Sequence, residues 1–151
     1  MTVPVDEQVV FRPWRVRWLA WIGAIVLFGV MVVVAVLLRE VPTGVHFRLA
    51  DQVALVLIGL LMALGMLLLA MPRVIADANG VRVRNVLVTK EFGWDDVLEV
   101  GFPDGAPWAR LELPDDEYLP MLAVQAVDKA RAVTAIRALR ALHAAHAGSD
   151  H

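Results

Sequence analysis

Two stretches, Trp18 to Leu38 and Val53 to Met71, run for 21 and 19 residues without a charged side chain. At about 1.5 Å of rise per residue, helices of that length reach roughly 30 Å, the thickness of a bilayer's hydrocarbon core. Buried helices of small soluble domains seldom stay uncharged for so long. The sequence therefore predicts a membrane hairpin over 18–71: a first span at 18–38, a short external loop at 39–52 and a second span at 53–71. Arg12, Arg15 and Arg17 precede the first run as the basic region of a signal peptide would. The run is longer than a typical signal core, however, and Ala35 to Glu40 offers no small-x-small cleavage site, so the expectation is an uncleaved anchor.

Arginine placement predicts the orientation. Arg12, Arg15 and Arg17 stand before the first span and Arg73 follows the second, whereas the connection holds Arg39 and Arg48 beside Glu40 and Asp51. The positive-inside rule then puts the N-terminal segment 1–17 and the C-terminal half on the cytoplasmic side. Trp14, Trp18 and Trp21 fall at helical i, i+4, i+7 spacing and read as an interfacial aromatic belt. His46 and Phe47, in a connection with Pro42 and Gly44 that is too short to be a domain, read as surface and interfacial residues. Small residues at Ala20, Gly23, Ala24, Gly59, Ala63 and Gly65 would let two helices approach closely, on each other or on another copy. Neither span carries an ionisable group, which argues against an ion path, proton relay or transporter.

From Pro72 the pattern changes to period two. Val74-Ile75-Ala76, the turn Asp77-Ala78-Asn79-Gly80 and Val81-Arg82-Val83-Arg84 read as a β-hairpin, with Asn-Gly expected to supply positive φ. Val88 to Phe92 reads as a third strand, Gly93 to Val97 as a corner, and Leu98 to Phe102 and Trp108 to Leu113 as strands around a Pro-Asp-Gly turn. A last short strand is expected at Glu117 to Met121. Alternation puts Ala109, Leu111 and Leu113 on one face of their strand and Trp108, Arg110 and Glu112 on the other. A helix over about 127–145 follows, with Asp128 near its start and Val133, Ile136, Leu139 and Leu142 as its apolar stripe. The domain should span 72–145 and leave 146–151 as a tail.

Several short antiparallel strands closed by one amphipathic helix is the order of a pleckstrin-homology (PH) fold. Asp77-x-x-Gly80-Val81-Arg82-Val83-Arg84, the corner Phe92-Gly93-Trp94-Asp95-Asp96-Val97, and Leu119-Pro120 followed by Asp128-Lys129-Ala130-Arg131-Ala132-Val133 resemble the bacterial PH-domain family of small two-helix membrane proteins. The resemblance covers about 72–142. It implies a membrane α-helical hairpin followed by a small α+β PH-like β-barrel or sheet capped by the C-terminal helix, with one strand missing or merged, in a bacterial cell membrane. It brings no known activity.

Catalytic materials are scarce. There is no cysteine, the one serine is Ser149, and no histidine lies among the strands, so a nucleophile paired with His is not expected. Asp95-Asp96 and Asp115-Asp116-Glu117 fall in turns and read as solvated acids. His143, His146 and His151 lack a third ligand from the strands, so no metal site is expected, and no cofactor.

Arg82 and Arg84 share a strand face, and Lys90 is expected on the neighbouring strand, which would make a basic patch. In eukaryotic PH domains, basic residues around the first hairpin bind phosphoinositide headgroups. Against a purely electrostatic role, 72–151 holds nine basic and twelve acidic residues, a net of −3, which also argues against nucleic acid. The sequence thus reads as a non-enzymatic, membrane-anchored scaffold that binds a protein or another copy of itself. The expected surface carries Arg82, Arg84, Lys90 and Trp108, with Trp108 open to a core reading as well. Recognition of anionic lipid headgroups through Arg82, Arg84 and Lys90 is the alternative.

Overall fold

The computed structural model describes residues 8–40 and 48–149. In chain order the elements are β1 (Val9–Phe11), α1 (Arg15–Glu40), α2 (Leu49–Leu68), β2 (Arg73–Ala76), β3 (Gly80–Arg84), β4 (Thr89–Gly93), β5 (Glu99–Gly101), β6 (Trp108–Glu112), β7 (Tyr118–Gln125) and α3 (Ala130–Ser149). One-turn 3₁₀ segments lie at Trp94–Asp96 and Ala126–Asp128. The chain divides into two compact units, Val16–Ala70 and the combination of Met1–Arg15 with Met71–His151. The expected surface residues His46 and Phe47, with most of the connection between the helices, and His151 fall outside the described residues.

In the first unit both helices are long and apolar enough to cross a membrane. The first helix begins three residues before the expected span, and the second runs four residues earlier and ends three earlier than 53–71. The small residues are where the helices touch. A Cβ on Gly59 would come within 2.6 Å of Met31 Cβ, and one on Gly23 within 2.5 Å of Met66 Cε, an antiparallel pairing. Nothing stands within 4 Å of a Cβ on Gly65, so that glycine is not part of the contact. The Asp51 carboxylate accepts the Arg48 N–H at 2.9 Å, satisfying a donor at the start of α2.

The second unit is two antiparallel sheets, β1-β2-β3-β4 and β5-β6-β7, with α3 packed against the β5 and β7 strands. The sheets do not close into a barrel, so the open-sheet form of the expectation is the one that holds. The strand that looked missing lies ahead of the hairpin: β1 pairs with β2 through Val9↔Ala76, Val10↔Ile75 and Phe11↔Val74. The segment 1–17 is therefore in part a strand, and α1 and α2 occupy the connection between β1 and β2.

Between β2 and β3 the turn differs from the Asn-Gly expectation. Neither Asn79 nor Gly80 has positive φ. The Asp77 carboxylate instead accepts the N–H groups of Asn79 (2.8 Å) and Gly80 (3.2 Å). Glycine is required at position 80 because a Cβ there would overlap the Phe92 carbonyl oxygen on β4. Positive φ occurs at Asp115 (63°) and Asp116 (59°), in the turn that joins β6 to β7. The last strand is longer than expected, eight residues, and Asn85 bonds across to it: its side chain donates to Pro120 O (2.9 Å) and accepts from Leu122 N (3.2 Å). The second of these serves Leu122, which lies where the register of β7 with β6 breaks.

The core draws on both sheets and α3: Val74, Val83, Trp94, Val100, Leu111, Met121, Val124 and Leu139 are all buried. Trp94 also donates its indole N–H to Asp77 O at 2.8 Å, tying the corner to the first turn. On α3 the buried stripe is Ala132, Ala135, Ile136, Leu139 and Leu142. Val133, expected in it, is half exposed. The helix begins later than expected, and Asp128 does not serve it: its carboxylate accepts the N–H groups of Trp14 and Arg15, both at 3.1 Å, where α1 begins. Trp14 lies before that helix and stacks under the Arg131 guanidinium, 4.8 Å from its ring centre, so only Trp18 and Trp21 stand on α1.

Candidate interaction surface

Strand alternation gives the four-stranded sheet one face against the core and one outward face. Cross-strand partners share a face, so Val10, Arg73, Ile75, Arg82, Arg84, Thr89 and Glu91 point outward together. Lys90 does not join them. It pairs with the buried Val83 and so belongs to the other face, where it is exposed beyond the core. Arg82 is directly opposite Glu91 and forms an ion pair with it. The expected trio of Arg82, Arg84 and Lys90 is thus divided: one arginine is neutralised, one lysine faces away, and Arg84 is left.

Arg84 has a different neighbour, Arg73, whose place after the second apolar run marks orientation in the sequence. Arg73 on β2 lies directly opposite Arg84 on β3, and Thr89 on β4 lies opposite Arg84 in turn. Neither arginine has a carboxylate partner among the described residues, and Arg73 Nε is buried without a hydrogen bond. Parity along β2 could have revealed that Arg73 faces the same side as Ile75, but pairing it with Arg84 needs the register of two strands.

The three-stranded sheet presents a different surface. Trp108 is 40% exposed, which settles its placement outside the core. Alternation places Arg110 and Glu112 on its face as expected, and the β6–β7 register adds Tyr118 opposite Glu112. Arg110 is fixed from two sides, paired to Glu112 and stacked over the Tyr118 ring at 5.1 Å. Tyr118 fell within the expected last strand, but setting it beside Arg110 and Glu112 needs the β6–β7 register.

The remaining candidates are accounted for by structural bonds. His143 Nε2 bonds Val97 O at 2.8 Å and its ring leans on Trp94, while His146 Nε2 bonds Asp95 Oδ1 at 2.9 Å. Asp115 and Asp116 form the β6–β7 turn. A groove of about 640 Å³ runs beside α3 between Phe102, Val133, Ile136, Lys129 and Arg137; it gathers no nucleophile with a base.

Residues 71–142 match the family described as "Bacterial PH domain". Over 130 residues the chain is 44% identical to uncharacterised proteins of Mycobacterium bovis and Mycobacterium tuberculosis, covering 86% of this chain and 84% of each relative. No solved structure matches.

Proposed function

The chain belongs to the bacterial PH-domain family, and we propose that it is a non-enzymatic module, held at the cytoplasmic membrane face by two spanning helices, that binds another protein. The observation that carries this reading is the exposed group of Trp108, Arg110 and Tyr118 on one sheet face. Trp, Tyr and Arg are the residues most enriched at the energetic centres of protein interfaces. Arg110 is held in place before any partner arrives, so less side-chain freedom is lost on binding.

Membrane attachment is supported by the outward-facing apolar surface of α1 and α2. The β1–β2 pairing supports a common side for both ends of the hairpin, because residues before and after it share one sheet. Arg12, Arg15, Arg17 and Arg73 beside the helix ends favour the cytoplasmic side. The non-enzymatic reading fits histidines and acids engaged in corner and turn structure.

Photocrosslinking from position 108 in native membranes tests this reading. We expect a discrete protein adduct that disappears when Tyr118→Ala and Arg110→Ala are introduced with the fold intact. An adduct of twice the chain's mass identifies self-assembly as the form of binding. Lipid adducts alone, with the protein always recovered as a free monomer, would overturn the reading.

A further inference from the structure

The groove beside α3 carries charge of one sign only. Phe102, Val133 and Ile136 make its apolar floor, and Lys129, Arg137 and Arg140 stand around them. Arg140 is fixed there, its Nε donating to Val100 O at 2.9 Å. No carboxylate lines the groove, and neither Lys129 nor Arg137 has an ion-pair partner among the described residues. Residues 72–151 have a net charge of −3, so the field at this groove is opposite in sign to that of the domain as a whole. An apolar centre inside a charged rim is the anatomy of a protein interface.

The complementary surface stands on the same unit, at the β6–β7 turn. Asp115, Asp116 and Glu117 are three successive exposed carboxylates, none with a cationic partner among the described residues. The turn is held by Leu113 N–H donating to Glu117 O (2.9 Å) and Glu117 N–H donating to Pro114 O (3.3 Å), and Tyr118, 58% exposed, follows at once. Three acids beside an exposed aromatic ring match three cations around an apolar floor. The non-glycine residues with positive φ among the described residues are Asp115, Asp116 and Lys129, and all of them belong to these two surfaces. Glycine is favoured at such positions, so the chain keeps a charge where the backbone alone would not select one.

One chain cannot bring the two together. The register sets Glu112 and Tyr118 at one end of the β6–β7 pair and Trp108 and Gln125 at the other, and the groove opens beyond Gln125, at Ala126 and Lys129. The eight residues of β7, at about 3.3 Å each, hold turn and groove roughly 25 Å apart. We propose that the β6–β7 turn of one copy docks in the α3 groove of a second copy, carboxylates against Lys129 and Arg137 and the Tyr118 ring towards Val133. The contact rests on the protein-binding reading above and names its partner. Because it joins two different surfaces, it is head-to-tail and continues from copy to copy into a ring or a row instead of stopping at two.

The chain has no cysteine, so introduced ones report without background. Full-length chains carrying either Pro114→Cys or Val133→Cys are co-expressed, oxidised in their membranes and resolved by mass. The expected product is a disulfide dimer of the two different variants, with none when either is expressed alone; a chain carrying both cysteines should give a ladder of multimers, since the two sites of one chain lie far outside disulfide reach. Asp115→Lys with Asp116→Lys should lower the yield by roughly tenfold or more, and Lys129→Glu with Arg137→Glu on the other copy should restore it. Lys129→Gly removes one rim charge at a backbone position suited to glycine. It should melt no lower than the parent and still reduce the yield roughly threefold, which keeps loss of contact distinct from loss of fold. Val133→Cys chains joined to each other, a protein of different mass joined at position 133, or a yield unmoved by charge reversal would each overturn the contact. Protein adducts at position 108 that persist without the 114–133 disulfide would overturn it and leave the protein-binding reading standing, whereas loss of both removes both.

Discussion

The hairpin and the PH-like unit use the same apolar residue types and place them in opposite ways. In the hairpin, Leu61 is 68% exposed and Ile25 66%, while the buried positions are Ala20, Ala24, Ala35, Gly59 and Ala63. In the PH-like unit the large residues Trp94, Leu111, Met121 and Leu139 are buried and the charged residues lie outside. Large apolar side chains turned outward along both helices suit a surrounding that is itself apolar. With no hydrophobic drive between them there, helices gain by close contact through small residues. The inversion is thus a statement about solvent, made by the packing rather than by helix length alone.

The sharpest break in this comparison is predicted at Trp94, whose buried ring joins the corner, α3 and the first turn. Trp94→Ala should cost about 3–5 kcal/mol and leave Asp77 O without its donor. Against a total stability of about 5–15 kcal/mol that is a large share, so the unit should be cut markedly faster by protease than the parent while the hairpin remains in the membrane. Proteolysis of membrane vesicles checks this, and a protease-resistant variant would show that the two sheets do not depend on the corner.

A matched pair of substitutions then tests the inversion directly. Leu61 and Leu98 have similar exposure, 68% and 61%, but lie in different units. Leu61→Arg should impair insertion by roughly 2.5–3.5 kcal/mol, the cost of a charge near the middle of a span. Leu98→Arg, at an exposed site in the PH-like unit, should stay within about 0.5 kcal/mol. A glycosylation-based insertion assay and a thermal melt read the two effects; equal and small effects would mean that the helices lie in water.

Most of the fold was legible because its signals are local. Length and lack of charge marked the helices, period two marked β2, β3 and β6, and Phe92 to Val97 marked the corner. What escaped was non-local. Val9–Phe11 is three residues, and its partner comes after the whole hairpin, so no window of sequence contains the pair. Lys90 was misplaced for a related reason: shifting a strand's register by one residue moves its side chains to the opposite face, and nothing in Asn85 to Val88 fixes that register in advance. Of the candidate surface, alternation set Arg84 on one face with Arg82 and left Trp108 open between surface and core. Arg73, the partner of Arg84, and Tyr118, the partner of Glu112, required the pairing of strands.

A smaller effect is predicted where α1 begins. Asp128 accepts the Trp14 and Arg15 N–H groups, a capping role supplied from far along the chain. Asp128→Ala should cost about 1–2 kcal/mol, in the range of lost helix caps. Asp128→Asn should cost less, because its amide oxygen still accepts. Hydrogen exchange should report faster exchange at the amides of Trp14 and Arg15, with Trp94 and the α3 core unaffected. Unchanged protection would separate the start of this helix from the folded unit.

The smallest effect is predicted at the β6–β7 turn, where the comparison becomes one of backbone rather than solvent. Asp115 and Asp116 both adopt left-handed φ, a conformation that glycine takes at little cost and that Asn and Asp tolerate better than other residues but still less freely than glycine. Two successive residues of this kind between antiparallel strands suit the Asn-Gly pair that was expected, from sequence, between β2 and β3. Moving that pair to where the backbone asks for it, as Asp115→Asn with Asp116→Gly, relieves local strain and removes two adjacent negative charges. Glycine's greater freedom in the unfolded chain offsets part of the gain. The net should be a stabilisation of about 0.5–1 kcal/mol, read as a modest rise in the melting temperature of the PH-like unit. A fall would mean that the two carboxylates support the turn through interactions worth more than the backbone strain they impose.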